Sequence, residues 1–133
     1  STEKQKYHTK KRVKSKNYYS INTLYKKQSV YNFPINNVIV IYKTKKLAII
    51  KQKNSKAIMI YKPQFKLKIG KIYNIIIGKI TTYNGLKEIT NLKSVYEIGT
   101  YKQYKKLYLD PTKVDITLPK YQNEIVSNLK GIY

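Results

Sequence analysis

Two apolar runs flank the dipeptide Asn84-Gly85: Ile72–Tyr83 (IYNIIIGKITTY) before it and Leu86–Val95 (LKEITNLKSV) after it. Asn and Gly accept the left-handed backbone that a two-residue hairpin turn requires, so this spacing predicts a β-hairpin. The β-branched residues on both sides suit a pleated, half-buried surface. Gly78 interrupts the first run at its middle. A glycine inside a strand marks a bulge or a sharp bend, as at the corner of a closed sheet.

The same pattern precedes this ribbon at shorter length. Asn36–Tyr42 reads as a strand, with Pro34 just before it at an edge or bulge because proline cannot donate to a ladder. Lys43–Lys46 (KTKK) is a turn, Leu47–Gln52 (LAIIKQ) a second strand, Lys53–Lys56 (KNSK) a polar turn, and Ala57–Tyr61 (AIMIY) a third strand. Lys62–Lys68 crosses over to the ribbon, and Gly70 breaks it. Five strands within about 70 residues fit a small closed or partly open barrel better than a sandwich, which carries more strands.

Helical signals are confined to the flanks. In Ser20–Lys27 (SINTLYKK) the residues Ile21, Leu24 and Tyr25 form one apolar stripe behind Ser20 as N-cap. Tyr101, Tyr104, Leu107 and Tyr108 have a helix-like period, and Asp110-Pro111 is a break. Thr117–Lys130 (TLPKYQNEIVSNLK) predicts a terminal helix packed on the barrel, with Pro119 in its first turn, a Tyr121, Ile125, Leu129 stripe and Gly131 as its stop. The expected organisation is a disordered basic arm at 1–19, a barrel at 20–100 and an extension at 101–133. The fold class is all-β with a small helical content.

Charge is the other strong constraint. The chain carries 28 Lys and Arg against 6 Asp and Glu, a formal charge of +22, and Arg12 is its only arginine. Lys, Ile, Asn and Tyr share A/T-rich codons, so a biased genome accounts for lysine over arginine. It does not account for the shortage of acids, since glutamate is also written freely by such genomes. A field this dense is self-repelling and is the electrostatic footprint of a polyanionic partner, nucleic acid first. Lys10, Lys11 and Arg12 belong to a basic run with few aliphatic residues, which is disordered alone and orders on a partner. Tyr7, Tyr18 and Tyr19 beside those cations offer faces for bases.

Catalysis is poorly served. His8, in the arm, is the only histidine, and there is no cysteine, which excludes disulfides and thiolate metal sites. The acids Glu3, Glu88, Glu97, Asp110, Asp115 and Glu124 are scattered and form no metal-holding cluster. Gly70, Gly78 and Gly85 lack phosphate-loop spacing. The expectation is a binding module without enzyme activity or cofactor. The longest apolar stretches, Val38–Tyr42 and Ala57–Tyr61, fall far short of the ~20 residues a membrane helix needs. No secretory signal is visible, and the absence of a methionine before Ser1 leaves a removed leader open. A cytoplasmic location is the expectation, a secreted or envelope one the alternative.

The stretch Ser20–Gly99 resembles one OB-fold family. The matching pieces are Ser20–Lys27, Val38–Tyr42, Ala48–Gln52, Ala57–Tyr61 and, most specifically, Leu67–Ile89 (LKIGKIYNIIIGKITTYNGLKEI). That last piece, with its GKITTYNGLKEI signature, is similar to strands four and five of OB domains in bacterial, Bacteroidetes-type nucleases and surface proteins. The resemblance implies a ligand face on strands two and three, flanked by the first and last hairpin loops. Those loops are Lys43–Lys46 and Tyr83–Lys87. Alternation turns Ala48, Ile50, Ile58 and Ile60 inward and Ile49, Lys51, Met59 and Tyr61 outward. The family often ends strand two in an acid where this chain has Lys51-Gln52, which would make the face basic. The implied contacts are Lys43, Lys45, Lys46, Lys51 and Lys87 on phosphates, and Tyr42, Tyr61 and Tyr83 stacking on unpaired bases beside Met59 and Asn84. Tyr73 and Tyr96 are expected in the core or rim.

Three functions follow as expectations. The first is a single-stranded DNA- or RNA-binding protein. The second is an accessory or structural subunit docked in a larger protein or ribonucleoprotein assembly. The third is a secreted or envelope OB module that binds glycan or an anionic surface. Oligomeric state is not encoded in any recognisable pattern.

Overall fold

The computed structural model describes residues 19–127. Lys10, Lys11 and Arg12 lie outside the described residues. Tyr19, expected in the arm, instead stacks on Phe33 at 4.5 Å between ring centroids, and its N–H donates to the Pro34 carbonyl.

Helix α1 is Ile21–Tyr25, and the Ser20 hydroxyl caps it by accepting from the Thr23 N–H. Its apolar stripe is used as its spacing predicts: Ile21 and Leu24 are fully buried. Five strands follow, β1 Phe33–Lys43, β2 Leu47–Lys51, β3 Ile58–Tyr61, β4 Lys71–Tyr83 and β5 Leu86–Thr100. Their lateral order is β1-β2-β3-β5-β4, and β4 returns to β1, so the sheet closes. Every pairing is antiparallel except β3 with β5, where Met59 faces Glu88 and Ile60 faces Ile89.

Irregularities bend long strands far enough to close so small a sheet. The β1 register slips between Ile35 and Val38, where Asn37 has a φ of 59°, and again between Val40 and Tyr42. The β4–β5 register slips on both sides of Gly78. A Cβ at Gly78 would stand 2.1 Å from Asn91 Oδ1, so any other residue there requires the Asn91 side chain to turn aside. The Asn84-Gly85 turn has φ values of 52° and 80°, the left-handed pair that the sequence requires.

Inward residues of all five strands form the core, with Val38, Val40, Ala48, Ile50, Ile58, Ile60, Ile75, Ile77 and Ile89 joined by Ile21 and Leu24 from α1 and by Leu67. Each buried isoleucine contributes about 1.5–3 kcal/mol. The β2 and β3 alternation is as read from the sequence.

A second apolar cluster lies on the outer side of β1 and β2. It comprises Ile39, Ile41, Ile49, Ala57 and Ile125, with Tyr42, Tyr101, Tyr104, Leu107 and Tyr108 packed against it. Residues 101–127 make this cover. They run through a 3-10 turn η1 (Tyr104–Leu107), and the Tyr108 hydroxyl donates to the Ile41 carbonyl at 3.0 Å. Burial raises the Tyr108 pKa, with Tyr104 and Tyr42 adding to the shift.

The terminal helix expected at Thr117–Lys130 is not formed over its described part. A 3-10 turn η2 spans only Pro119–Tyr121, Asn123 has a φ of 71°, and Leu109 and Val126 make a parallel bridge. Tertiary bonds replace the helical ladder: Leu109 N–H donates to the Ile125 carbonyl and Ser127 N–H to the Leu109 carbonyl, both at 2.8 Å. Ile125 does reach an apolar surface, but on extended chain. Leu129 and Gly131 lie outside the described residues. Among the described residues no helix is long and apolar enough to cross a membrane.

Candidate nucleic-acid interface

A groove of about 480 Å³ opens on the outer face of the closed sheet, lined by Leu47, Met59, Tyr61, Thr81, Tyr83, Glu88 and Thr90. Three neighbouring strands supply its floor. Met59 of β3 faces Glu88 of β5, and Glu88 faces Thr81 of β4. Leu47 and Tyr61 face each other across β2 and β3 next to the first hairpin turn. Tyr83 closes the other side, next to the Asn84-Gly85 turn. Tyr61 is 38% exposed and Tyr83 65%, so both rings are open to solvent beside an apolar floor. The Thr81 and Thr90 hydroxyls share a hydrogen bond at 2.9 Å.

The first hairpin turn is built by Thr44. Its hydroxyl accepts from the N–H groups of Lys46 and Leu47, and its own N–H donates to the Leu47 carbonyl at 2.9 Å. The turn thereby presents Lys43, Lys45 and Lys46, all exposed, from a fixed backbone. The Lys62 N–H donates to the Lys46 carbonyl at 2.7 Å, and the Lys62 ammonium sits 5.4 Å from the Tyr61 ring centroid. Lys62 therefore joins the basic rim, a position that sequence alone did not single out.

Of the residues expected at the ligand face, Met59, Tyr61 and Tyr83 are brought together in the groove, while Asn84 follows Tyr83 in its turn and Lys43, Lys45 and Lys46 are exposed on the turn before Leu47. Three are placed elsewhere. Lys51 points outward from the sheet but is buried under residues 107–124, where its ammonium meets Glu124 Oε1 at 2.7 Å and the Leu107 carbonyl at 3.0 Å. It does not make the face basic. Lys87 turns to α1, where its ammonium donates to the carbonyls of Tyr25 and Lys27 and ends the helix. Tyr42 is half-buried in the second cluster and offers no open ring. Tyr73 is buried as expected, its hydroxyl accepting from the Lys68 N–H.

The groove's acid is the feature that sequence reasoning missed. Glu88 is 9% exposed, and burial raises its carboxyl pKa above the ordinary value. No hydrogen bond or ion pair to its side chain exists among the described residues. A sequence reader sees Glu88 as one of several scattered acids, because its neighbours Met59 and Thr81 arrive through pairings on two different strands. Among the described residues no three His, Asp or Glu side chains converge as metal ligands would. No family model matches this chain, and no curated protein or solved structure matches it either.

Proposed function

We propose that the chain is a non-catalytic OB-type barrel that binds single-stranded nucleic acid in the groove between its first and last hairpin turns. The observation that carries this reading is that two solvent-open tyrosines, Tyr61 and Tyr83, line one groove whose wall residue Leu47 directly follows the exposed lysine-bearing turn. The lateral order of the strands, closed with one parallel pair, fits a five-stranded Greek-key barrel. Such barrels take oligonucleotides on the outer face of strands two and three, and this groove shares β3 with that face while lying mainly over β5 and β4.

Affinity in this reading has two sources. Lys43, Lys45, Lys46 and Lys62 neutralise phosphates and release counterions, which is indifferent to sequence. Tyr61 and Tyr83 stack on unpaired bases, worth about 1–3 kcal/mol per base. The docked-subunit reading has less support, because residues 101–127 fold back onto the outer face of β1 and β2 and use up apolar surface that a protein partner would take.

The test is a fluorescence-anisotropy titration of the full chain with single-stranded and duplex oligonucleotides of about 20 nucleotides. Single strands should bind more tightly than duplex. With about four phosphate contacts at this site the log–log salt slope should be about −3. Tyr61→Ala should weaken single-strand binding by about 5- to 150-fold. Equal binding of both forms, untouched by Tyr61→Ala, would refute the groove as the site.

A further inference from the structure

In a chain of charge +22, four of the five described acids are engaged. Glu97 pairs with Lys71, Glu124 pairs with Lys51, and Asp110 and Asp115 accept from the backbone and hydroxyls of Thr112 and Thr117. Glu88 is the exception. It stands unpartnered among the described residues, nine-tenths buried, on the floor of the groove with the open tyrosines. Its carboxylate oxygens still reach solvent at the groove, so they are free to accept from a ligand that supplies the donors.

Phosphate cannot be that ligand, because an ionised carboxylate only accepts. Phosphates are repelled from the floor and drawn to Lys43, Lys45, Lys46 and Lys62 on the rim. A strand bound in the groove would then turn its backbone toward the rim and its bases inward. The bases differ in what they offer an acceptor. Guanine presents two adjacent donors, N1–H and the exocyclic N2–H, on its pairing edge. Cytosine and adenine present one amino donor beside an acceptor. Thymine and uracil present one donor between two carbonyls, which a carboxylate repels. The third group on the guanine edge is the O6 acceptor. Thr81 lies directly across from Glu88, and its hydroxyl shares one hydrogen with Thr90, leaving the second hydroxyl hydrogen to donate.

We propose that Glu88 and the Thr81–Thr90 pair read a guanine base in the groove, the carboxylate accepting from N1–H and N2–H and a threonine hydroxyl donating to O6. This inference rests on the nucleic-acid reading of the groove and adds base preference to it. Met59 and Leu47 supply the apolar floor, and Tyr61 and Tyr83 the stacking faces.

The test titrates the full chain against thymine oligonucleotides of about 12 nucleotides, with and without two isolated guanines. Wild-type protein should bind the guanine-bearing strand about tenfold more tightly, as one good bidentate contact allows. Strands bearing cytosine or adenine should fall between. Glu88→Gln, which keeps the shape of the side chain, should bring the guanine-to-thymine ratio close to one. Two substituted bases test the same contact in the wild-type chain, independently of any variant. Inosine lacks the N2 amino group and should bind less tightly than guanine, whereas 7-deazaguanine, altered only on its other edge, should bind like guanine. A wild-type ratio of one, a ratio unchanged in Glu88→Gln, or inosine equal to guanine would overturn the base reading. If Tyr61→Ala still weakened every strand in that case, the nucleic-acid site itself would stand. Failure of all strands to bind would overturn both.

Discussion

The Lys51–Glu124 pair fastens residues 101–127 to the outer face of the closed sheet, and removing one partner should loosen that cover. The two side chains are 9% and 4% exposed with 2.7 Å between Nζ and Oε1. At an effective dielectric of 20, that separation gives an attraction of about 6 kcal/mol. Desolvation of the two ions costs several kcal/mol each, so the intact pair comes out near break-even. A lone survivor has no such compensation. Lys51→Met leaves Glu124 with only the Ala57 N–H on Oε2, and Glu124→Leu leaves the Lys51 ammonium with only the Leu107 carbonyl. Each single change should cost about 3–5 kcal/mol, a large share of a domain's stability of about 5–15 kcal/mol. The double variant should cost less than the sum by about 2 kcal/mol or more, since neither charge is then stranded. Urea unfolding followed by circular dichroism measures the three values. Trypsin cleavage at Lys105, Lys106, Lys113 and Lys120 should accelerate in the single variants before the sheet unfolds. Single costs under about 1 kcal/mol that simply add would refute the reasoning, because such an ion pair would be behaving as an exposed one.

Three further outcomes are expected. The Tyr25 hydroxyl donates to the Ala57 carbonyl at 2.5 Å, and burial raises its pKa from 10.0 to about 12. The folded value lies above the unfolded one, so this contribution is whole below pH 10 and is lost as pH rises from about 10 to 12. Tyr25→Phe should lose about 1 kcal/mol at pH 8 and make the alkaline decline shallower by about 2–3 kcal/mol; equal declines would contradict this. Gly78→Ala forces a Cβ against Asn91 and should cost about 1–3 kcal/mol, read as a lower Tm; an unchanged Tm would mean that β5 can yield. Changing Lys43, Lys45 and Lys46 together to Gln should leave the fold intact and reduce the single-strand salt slope by about 2, whereas an unchanged slope would place the phosphates elsewhere.

The strands were legible because their signals are local. Period-two alternation located β1 to β4 to within about three residues at each end, and the Asn84-Gly85 chemistry fixed the hairpin. The β5 strand runs on to Thr100 because β4 pairs with it as far as Lys71, although its own sequence loses alternation after Val95. The C-terminal segment misled for a physical reason. Its apolar spacing suits a helix, but the groups that hold Glu124 and Ile125 come from β2, the residue before β3, and Leu109, all far away in the sequence. Lys51 shows the same limit more sharply. Alternation gives the side of the sheet correctly and says nothing of what lies over that side.

The cover also determines which part of the outer face remains for a ligand. Without the cover, a closed sheet of this topology would expose the whole outer surface of β2 and β3. Here Ile49 and Lys51 lie under residues 107–125, and Tyr42 is drawn in with them. The open surface is displaced toward β3, β5 and β4. There the parallel β3–β5 pairing sets Met59 beside Glu88, and the hairpin contributes Thr81 and Tyr83. Of the lysines expected to bind phosphate, those that packing recruits, Lys51 and Lys87, hold the extension and the end of α1. Those on the Thr44-built turn stay exposed on the rim. Basic charge and open aromatic rings thus meet along one side of the sheet, and the one unpartnered carboxylate among the described residues lies between them.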